Sequence, residues 1–127
     1  THIVMAGRHS PSDGVGIYDA DIFIARVADK LSVMSMAEHW CVSVFPGADN
    51  TPVFSPDNNN IAFSHYESND GDGKAHTPFT PDWGIYLVST TKPSGKNDRA
   101  TPQKVVSGLP LVERMSWFPD GKRLLVS

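Results

Sequence analysis

Residues 54–64 read FSPDNNNIAFS, and a second stretch, residues 117–127, reads WFPDGKRLLVS in nearly the same words. Pro56 fixes its own φ near about −65° and lacks the N–H that a central sheet ladder requires, which suits the second position of a turn. Asp57 folds its carboxylate back onto backbone of the same turn, and Asn58 tolerates the left-handed conformation such loops need. Ile61, Ala62 and Phe63 then begin a returning strand. Each stretch reads as a β-hairpin corner, with Pro56, Asp57 and Asn58 in the first and Pro119, Asp120 and Gly121 in the second.

Working outward, the two corners align at an offset of 63 residues. Phe54 falls on Trp117, Asp57 on Asp120, and Asn58 on Gly121. The last match carries the most weight, because Gly and Asn enter the left-handed region at least cost. DIFIAR, residues 21–26, and GIYLVS, residues 84–89, keep the same offset of 63, whereas HIVMAG matches NIAFSH at 58. Self-similarity at a long fixed period is the mark of a repeat architecture.

Ten Gly and ten Pro cut the chain into strand-length pieces rich in β-branched and aromatic residues. No window of a dozen residues keeps a helical apolar period between breakers. Residues 27–38, the best helix candidate, lack a cap and read as irregular or strand. Strands are expected near 3–6, 21–27, 51–55, 60–65, 84–89, 103–107, 114–117 and 123–126. The fold class is therefore all-β, and each repeat reads as four antiparallel strands, the blade of a β-propeller.

The corners SPD-NNNIAF and FPDGKRLL, with the third-strand patterns DADIFIARV and GIYLVST, resemble the repeat of TolB-like propellers, a WD-repeat-like family with a Pro-Asp corner. Asn58 stands where that family usually has Gly, and Phe118 where it has Ser. The period of 63 also exceeds the roughly 40–45 residues of a compact WD blade, the excess lying in the loops between second and third strands. The resemblance implies a partial propeller of about two blades. Residues 1–48 would give three strands of one blade, 49–110 a full blade, and 111–127 the first two strands of the next. Because a propeller needs about 4–8 blades, the chain reads as a segment completed by further blades or other chains.

The composition, 39% hydrophobic and 20% charged with a net charge of −3, suits one ordinary core. It gives no electrostatic reason to expect nucleic acid. No apolar run approaches the roughly 20 residues of a membrane helix, so membrane insertion is not expected. The one cysteine, Cys41, permits no disulfide within the chain. That suits a reducing compartment and equally an exported bacterial protein without disulfides. The family resemblance points to a periplasmic or otherwise exported location, with a cytoplasmic one left open. The chain starts at Thr1 with no basic-then-apolar leader and reads as a mature or excised segment.

Two long connections, residues 7–21 and 65–83, leave the second strand of successive repeats and are expected on one face. Their polar residues Arg8, His9, Asp19, His65, Glu67, Asp70, Asp72 and His76 are the binding-face candidates, for a protein partner or a small ligand. Asp70 and Asp72 are weak candidates for a metal, since NDGDG is equally a solvated turn cluster. An EF-hand reading fails, because Phe79 falls on the twelfth position where a bidentate Glu is required. No cofactor motif is present: GVG at 14–16 lacks both the third glycine of a dinucleotide loop and a following helix. His39 and Cys41 share a strand face but sit in an apolar run, which favours packing over catalysis. Trp83 and Trp117 read as packing aromatics.

The sequence thus points to a non-catalytic propeller segment acting as a binding platform. The alternative is the propeller part of an enzyme, a prolyl-oligopeptidase-type serine peptidase or a propeller lyase, with catalytic residues outside these 127 residues.

Overall fold

The structure, a computed structural model, describes residues 2–8, 20–26, 39–43, 48–67, 79–95 and 100–127. Among these residues the fold is all-β, with no helix and three open antiparallel sheets. The first sheet joins β1 (His2–Arg8), β2 (Ala20–Arg26) and β3 (His39–Cys41) in that order. The second joins β4 (Asp49–Phe54), β5 (Asn60–Tyr66), β6 (Trp83–Ser89) and β7 (Gln103–Leu109), again in sequence order. The third is a hairpin of β8 (Met115–Trp117) and β9 (Leu124–Val126).

The strands expected from the punctuation are present, with ends shifted by at most two residues and with β1 reaching Arg8. Ser55 is not part of β4, because its backbone N–H already serves the corner, donating to Asn60 O at 2.8 Å. The short strand β3 falls where His39 and Cys41 read as sharing a strand face, although no bounds are expected for it. Residues 27–38 lie outside the described residues.

Both corners form as the side-chain chemistry dictates. In the first, Asn58 N–H donates to Ser55 O at 2.9 Å, and Asn58 has a φ of 60°. In the second, Gly121 N–H donates to Phe118 O at 3.0 Å, and Gly121 has a φ of 66°. The Asp57 carboxylate accepts from Asn59 N–H at 3.0 Å, as Asp120 does from Lys122 N–H at 3.0 Å. Ser55 Oγ also donates to Asp57 at 2.6 Å and accepts from Asn60 N–H at 3.0 Å. Phe118 cannot do either. There Arg123 lies over the Phe118 ring at 4.3 Å and grips Asp120 at 3.1 Å.

Strand registers follow the same spacing. The pairs Val53↔Ala62 and Phe54↔Ile61 match Ser116↔Leu125 and Trp117↔Leu124, 63 residues on. Phe23↔Cys41 and Ile24↔Trp40 match Tyr86↔Lys104 and Leu87↔Gln103 at the same shift. His2↔Arg26 matches Asn60↔Ser89 with the shift of 58 in one strand and 63 in the other.

The core lies between the first two sheets. Ile22 and Ile24 of β2 and Val42 meet Ile61 and Phe63 of β5 and Val88 of β6. Each such side chain contributes about 1.5–3 kcal/mol when fully buried. All five residues from Ile61 to His65 are buried, so β5 is covered on both faces. Strand β4 carries a bulge between Asn50 and Val53, where Pro52 has no N–H to offer and Thr51 takes a φ of 49°. Thr51 Oγ1 bonds Ser64 Oγ at 2.8 Å across the bulge.

Gly121→Val is expected to lower unfolding stability by about 1 kcal/mol or more, since a β-branched residue resists a left-handed backbone. Asn58→Gly is expected to be neutral or slightly stabilising. Urea titration of both variants beside one at exposed Lys122 checks the corner: equal tolerance at Gly121 and Lys122 would contradict it.

Candidate functional site

Two polar assemblies and one cleft stand out, and strand alternation explains where each lies. On β5, Ile61, Phe63 and His65 share one face, so His65 is drawn inward with the core. Its Nδ1 lies 2.7 Å from Asp49 Oδ1, and the two side chains are 7% and 0% exposed. Ser43 Oγ donates to the other oxygen, Asp49 Oδ2, at 2.6 Å, while accepting from Ile22 N–H at 2.9 Å. Cys41 Sγ donates to Ser43 O at 2.8 Å. The trio of Ser, Asp and His is not arranged for nucleophilic attack, because Ser43 gives its proton to the carboxylate and not to the imidazole. It joins the two sheets.

His65, one of the binding-face candidates, is buried. The alternation that buries Phe63 also buries His65, and Asp49 supplies the partner that makes burial tolerable.

The second assembly is built around Glu67, immediately after β5. Glu67 Oε1 accepts from Tyr86 OH at 2.7 Å and pairs with Lys104 Nζ at 2.7 Å. Lys104 Nζ also stands 5.7 Å above the Tyr86 ring, and His65 meets that ring edge-on at 5.2 Å. Gly84 makes room for the carboxylate: a Cβ there would come within 2.8 Å of Glu67 Oε1 and 3.0 Å of Val106 O. Partial burial raises the Glu67 pKa, but the bonds from Lys104 and Tyr86 and the Lys104 charge outweigh it, holding the carboxyl below its ordinary value. Burial, reinforced by the bond to Glu67, raises the Tyr86 phenol, and the bond to Glu67 raises the Lys104 ammonium.

Of the other candidates, Arg8 ends β1 and so begins the first long connection. His9, Asp19, Asp70, Asp72 and His76 lie outside the described residues, as does the side chain of His39. Trp83 is half-buried, its ring 5.3 Å from that of Tyr66. Trp117 Nε1 reaches Val53 O at 3.5 Å, which ties the third sheet to the second. Among the described residues, no three His, Cys, Asp or Glu side chains gather as metal ligands would. No helix among them is long and apolar enough to cross a membrane.

The long connections emerge at one end. Ile22, near the start of β2, is joined through Ser43 to Asp49 and His65, which puts Arg8 and Tyr66 at the same end of the packed sheets. The opposite end holds the corners and a cleft of about 440 Å³ between the sheets, lined by His2, Ile24, Trp40, Phe54, Asn58 and Thr90. Composition alone does not signal this cleft, since its walls come from five separate stretches of the chain. The chain matches no family model, no curated protein and no solved structure.

Asp49→Ala strands the buried imidazole and Ser43 hydroxyl, and is expected to cost about 3 kcal/mol or more in urea unfolding. Ser43→Ala is expected to cost about 1 kcal/mol. An Asp49→Ala protein as stable as its parent would show that the link does not hold the sheets together.

Glu67 has a lowered folded pKa, so its ionised form stabilises the fold above the ordinary carboxyl value of 4.5, and that contribution fades as pH falls through the folded value. Glu67→Gln is expected to destabilise at pH 7 by about 1 kcal/mol or less, because the pair is partly solvated. The gap between variant and parent should close as the pH is lowered below 4.5, as read from denaturation midpoints. A gap that is constant from pH 7 to pH 3 would remove the ion pair from the account.

Proposed function

We propose that the chain is a segment of a TolB-like β-propeller and works as a non-catalytic platform for a protein partner or small ligand. The observation that carries the reading is the recurrence, 63 residues apart, of one corner geometry and one strand register. A recurring antiparallel sheet in chain order, with its first two copies packed on one core, supports the propeller reading.

In such an arrangement the connections between second and third strands crowd one rim, and the described residues that bound the two connections, Arg8 and Ala20 in one and Tyr66 and Trp83 in the other, share an end here. Loops of this length exceed the two to five residues or so that a hairpin needs, and long loops on rigid sheets are where recognition concentrates. Glu67 belongs to this rim, and its bonds to Tyr86 and Lys104 anchor the start of the second connection on the sheet beneath it. The outer edge of β9 would take a strand equivalent to β6, supplied by further blades. An exported, periplasmic location goes with the family resemblance.

The test replaces residues 69–76 of the full protein with a short Gly-Ser turn. Circular dichroism and urea unfolding follow the fold, and affinity capture follows a partner first identified by cross-linking to the unaltered protein. A preserved fold with lost capture is the expected result. Capture that survives unchanged would reduce the loop to a cover over its neighbours and overturn the platform reading.

A further inference from the structure

The cleft at the corner end has no part in the platform reading, and its walls have a definite chemistry. Its volume of about 440 Å³ lies within the roughly 300–1,000 Å³ typical of small-molecule sites. Ile24, Trp40 and Phe54 give it apolar walls, while His2, Asn58 and Thr90 bring polar groups. Among the described residues that line it there is no carboxylate, ammonium or guanidinium, so nothing in the walls selects an ion. The indole is braced by its rings: His2 meets it edge-on at 5.7 Å, and Lys92, which does not line the cleft, stands with Nζ 5.8 Å from its centre. Trp40 Nε1 is buried and bonds nothing among the described residues, so the residue offers a ligand ring surface and not its N–H.

The polar groups have unused capacity. The Asn58 backbone is committed, its N–H donating to Ser55 O at 2.9 Å and its carbonyl accepting from Thr90 Oγ1 at 2.8 Å. Its side-chain amide makes no hydrogen bond among the described residues, and neither do the His2 ring nitrogens. Thr90 Oγ1 has given its proton to the corner and is left as an acceptor. The amide is not what makes the corner, because Gly121 holds the equivalent φ, 66° against 60°, with no side chain at all. Asn58 thus carries a donor and an acceptor that its own turn does not use, on a backbone held by two hydrogen bonds.

We propose that this cleft binds a neutral pyranose sugar, its C–H face against Trp40 and Phe54 and its hydroxyls on the Asn58 amide, His2 and Thr90. A hydroxyl both donates and accepts, so neighbouring hydroxyls can take the two ends of a carboxamide, meet either nitrogen of an imidazole and donate to Thr90 Oγ1. A purely apolar ring would fill the same walls but leave the amide and the imidazole to lose water unpaired. The polar groups also come from three stretches: the start of β1, the first corner and the end of β6. That spread suits hydroxyls set around a ring better than the polar edge of a flat base. The inference rests only on the first two sheets and the first corner. It stands or falls apart from the propeller reading.

The methyl glycosides of glucose, galactose and mannose are the probes, with cyclohexanol and adenine as rivals, in saturation-transfer NMR titrations of the whole chain. At least one glycoside is expected to bind saturably in the millimolar range, and about tenfold more tightly than cyclohexanol, which keeps the ring and loses all but one hydroxyl. Asn58→Gly should leave circular dichroism unchanged and the urea midpoint no lower, since Gly121 already forms the same corner. It should weaken the glycoside about tenfold and leave cyclohexanol where it was. Trp40→Leu should abolish glycoside binding. If that variant fails to fold, the Asn58→Gly comparison decides alone. No saturable glycoside binding in the millimolar range, cyclohexanol or adenine bound as tightly as the best glycoside, or an affinity unchanged in Asn58→Gly would each overturn the proposal.

Discussion

One buried carboxylate fixes how the first two sheets meet. Asp49 opens β4, is fully buried, and takes hydrogen bonds from both sides: from Ser43, beyond β3, and from His65 on β5. Through Ser43 the link extends to the Ile22 backbone of β2. Through His65 it extends to the Tyr86 ring, from there to Glu67, and from Glu67 to Lys104 on β7. Hydrogen bonds, an ion pair and one edge-on ring contact thus run in series across both sheets from β2 to β7. A carboxylate stripped of water is costly unless its partners are in place, so the sheets have one arrangement in which the cost is met. Apolar contacts between Ile22, Ile24, Ile61 and Phe63 supply the driving force but tolerate sliding far better than these bonds do. The spacing of 63 residues sharpens the point: the positions matching Ser43 and Asp49 are Val106 and Val112, and Val112 is buried as an apolar residue. The polar link therefore belongs to this one junction and is not a property of the recurring pattern.

The corners were legible in the sequence because their constraints are local. A Pro with fixed φ, an Asp that caps its own turn and a Gly or Asn that enters the left-handed region leave one conformation within five residues. The register followed from the corner, since a hairpin loop sets which residues face each other. What stayed hidden depends on distant residues. The bounds of β3 were hidden, though not the strand face of His39 and Cys41: the strand is three residues long, has no turn residue at its start, and pairs along the edge that Ile24 and its neighbours offer. The bulge at Thr51 and Pro52 looks like ordinary strand in one dimension, apart from a proline that also suits an edge. His65 stands beside Phe63 in the alternation, which marks it as inward. Yet its polarity suggested exposure, and the residue that resolves the conflict lies sixteen positions away. Glu67 likewise depends on a glycine at position 84 that leaves space for its carboxylate.

The two ends of the packed sheets consequently differ in kind. At the corner end the backbone is rigid. Asn58 and Gly121 have nearly the same φ, a Cβ on Gly121 would lie 3.9 Å from Pro56, and Thr90 ties its own strand end to the first corner. At the other end, Glu67, which follows β5, is pinned by its ion pair with Lys104 and the bond from Tyr86. Such anchoring lets a connection vary in sequence without disturbing the sheet.

The third sheet shows what the pattern demands of its surroundings. A two-stranded hairpin is marginal in water by itself. Here it is held to β4 by Trp117 and by the proximity of the two corners. Its outer strand nevertheless leaves Leu125 61% exposed, and the edge strand β7 leaves Val105 59% exposed. In β5, which matches β9, all five central residues are buried, because β4 and β6 flank it and the first sheet covers it. The same strand pattern is thus covered in one place and open in the other. The difference lies in the neighbours and not in the strand, since Ile61, Ala62 and Phe63 correspond to Leu124, Leu125 and Val126. Apolar residues on an unpaired edge invite pairing with whatever strand is offered. A further strand beside β9 and a sheet over it would give the hairpin the environment that β5 already has.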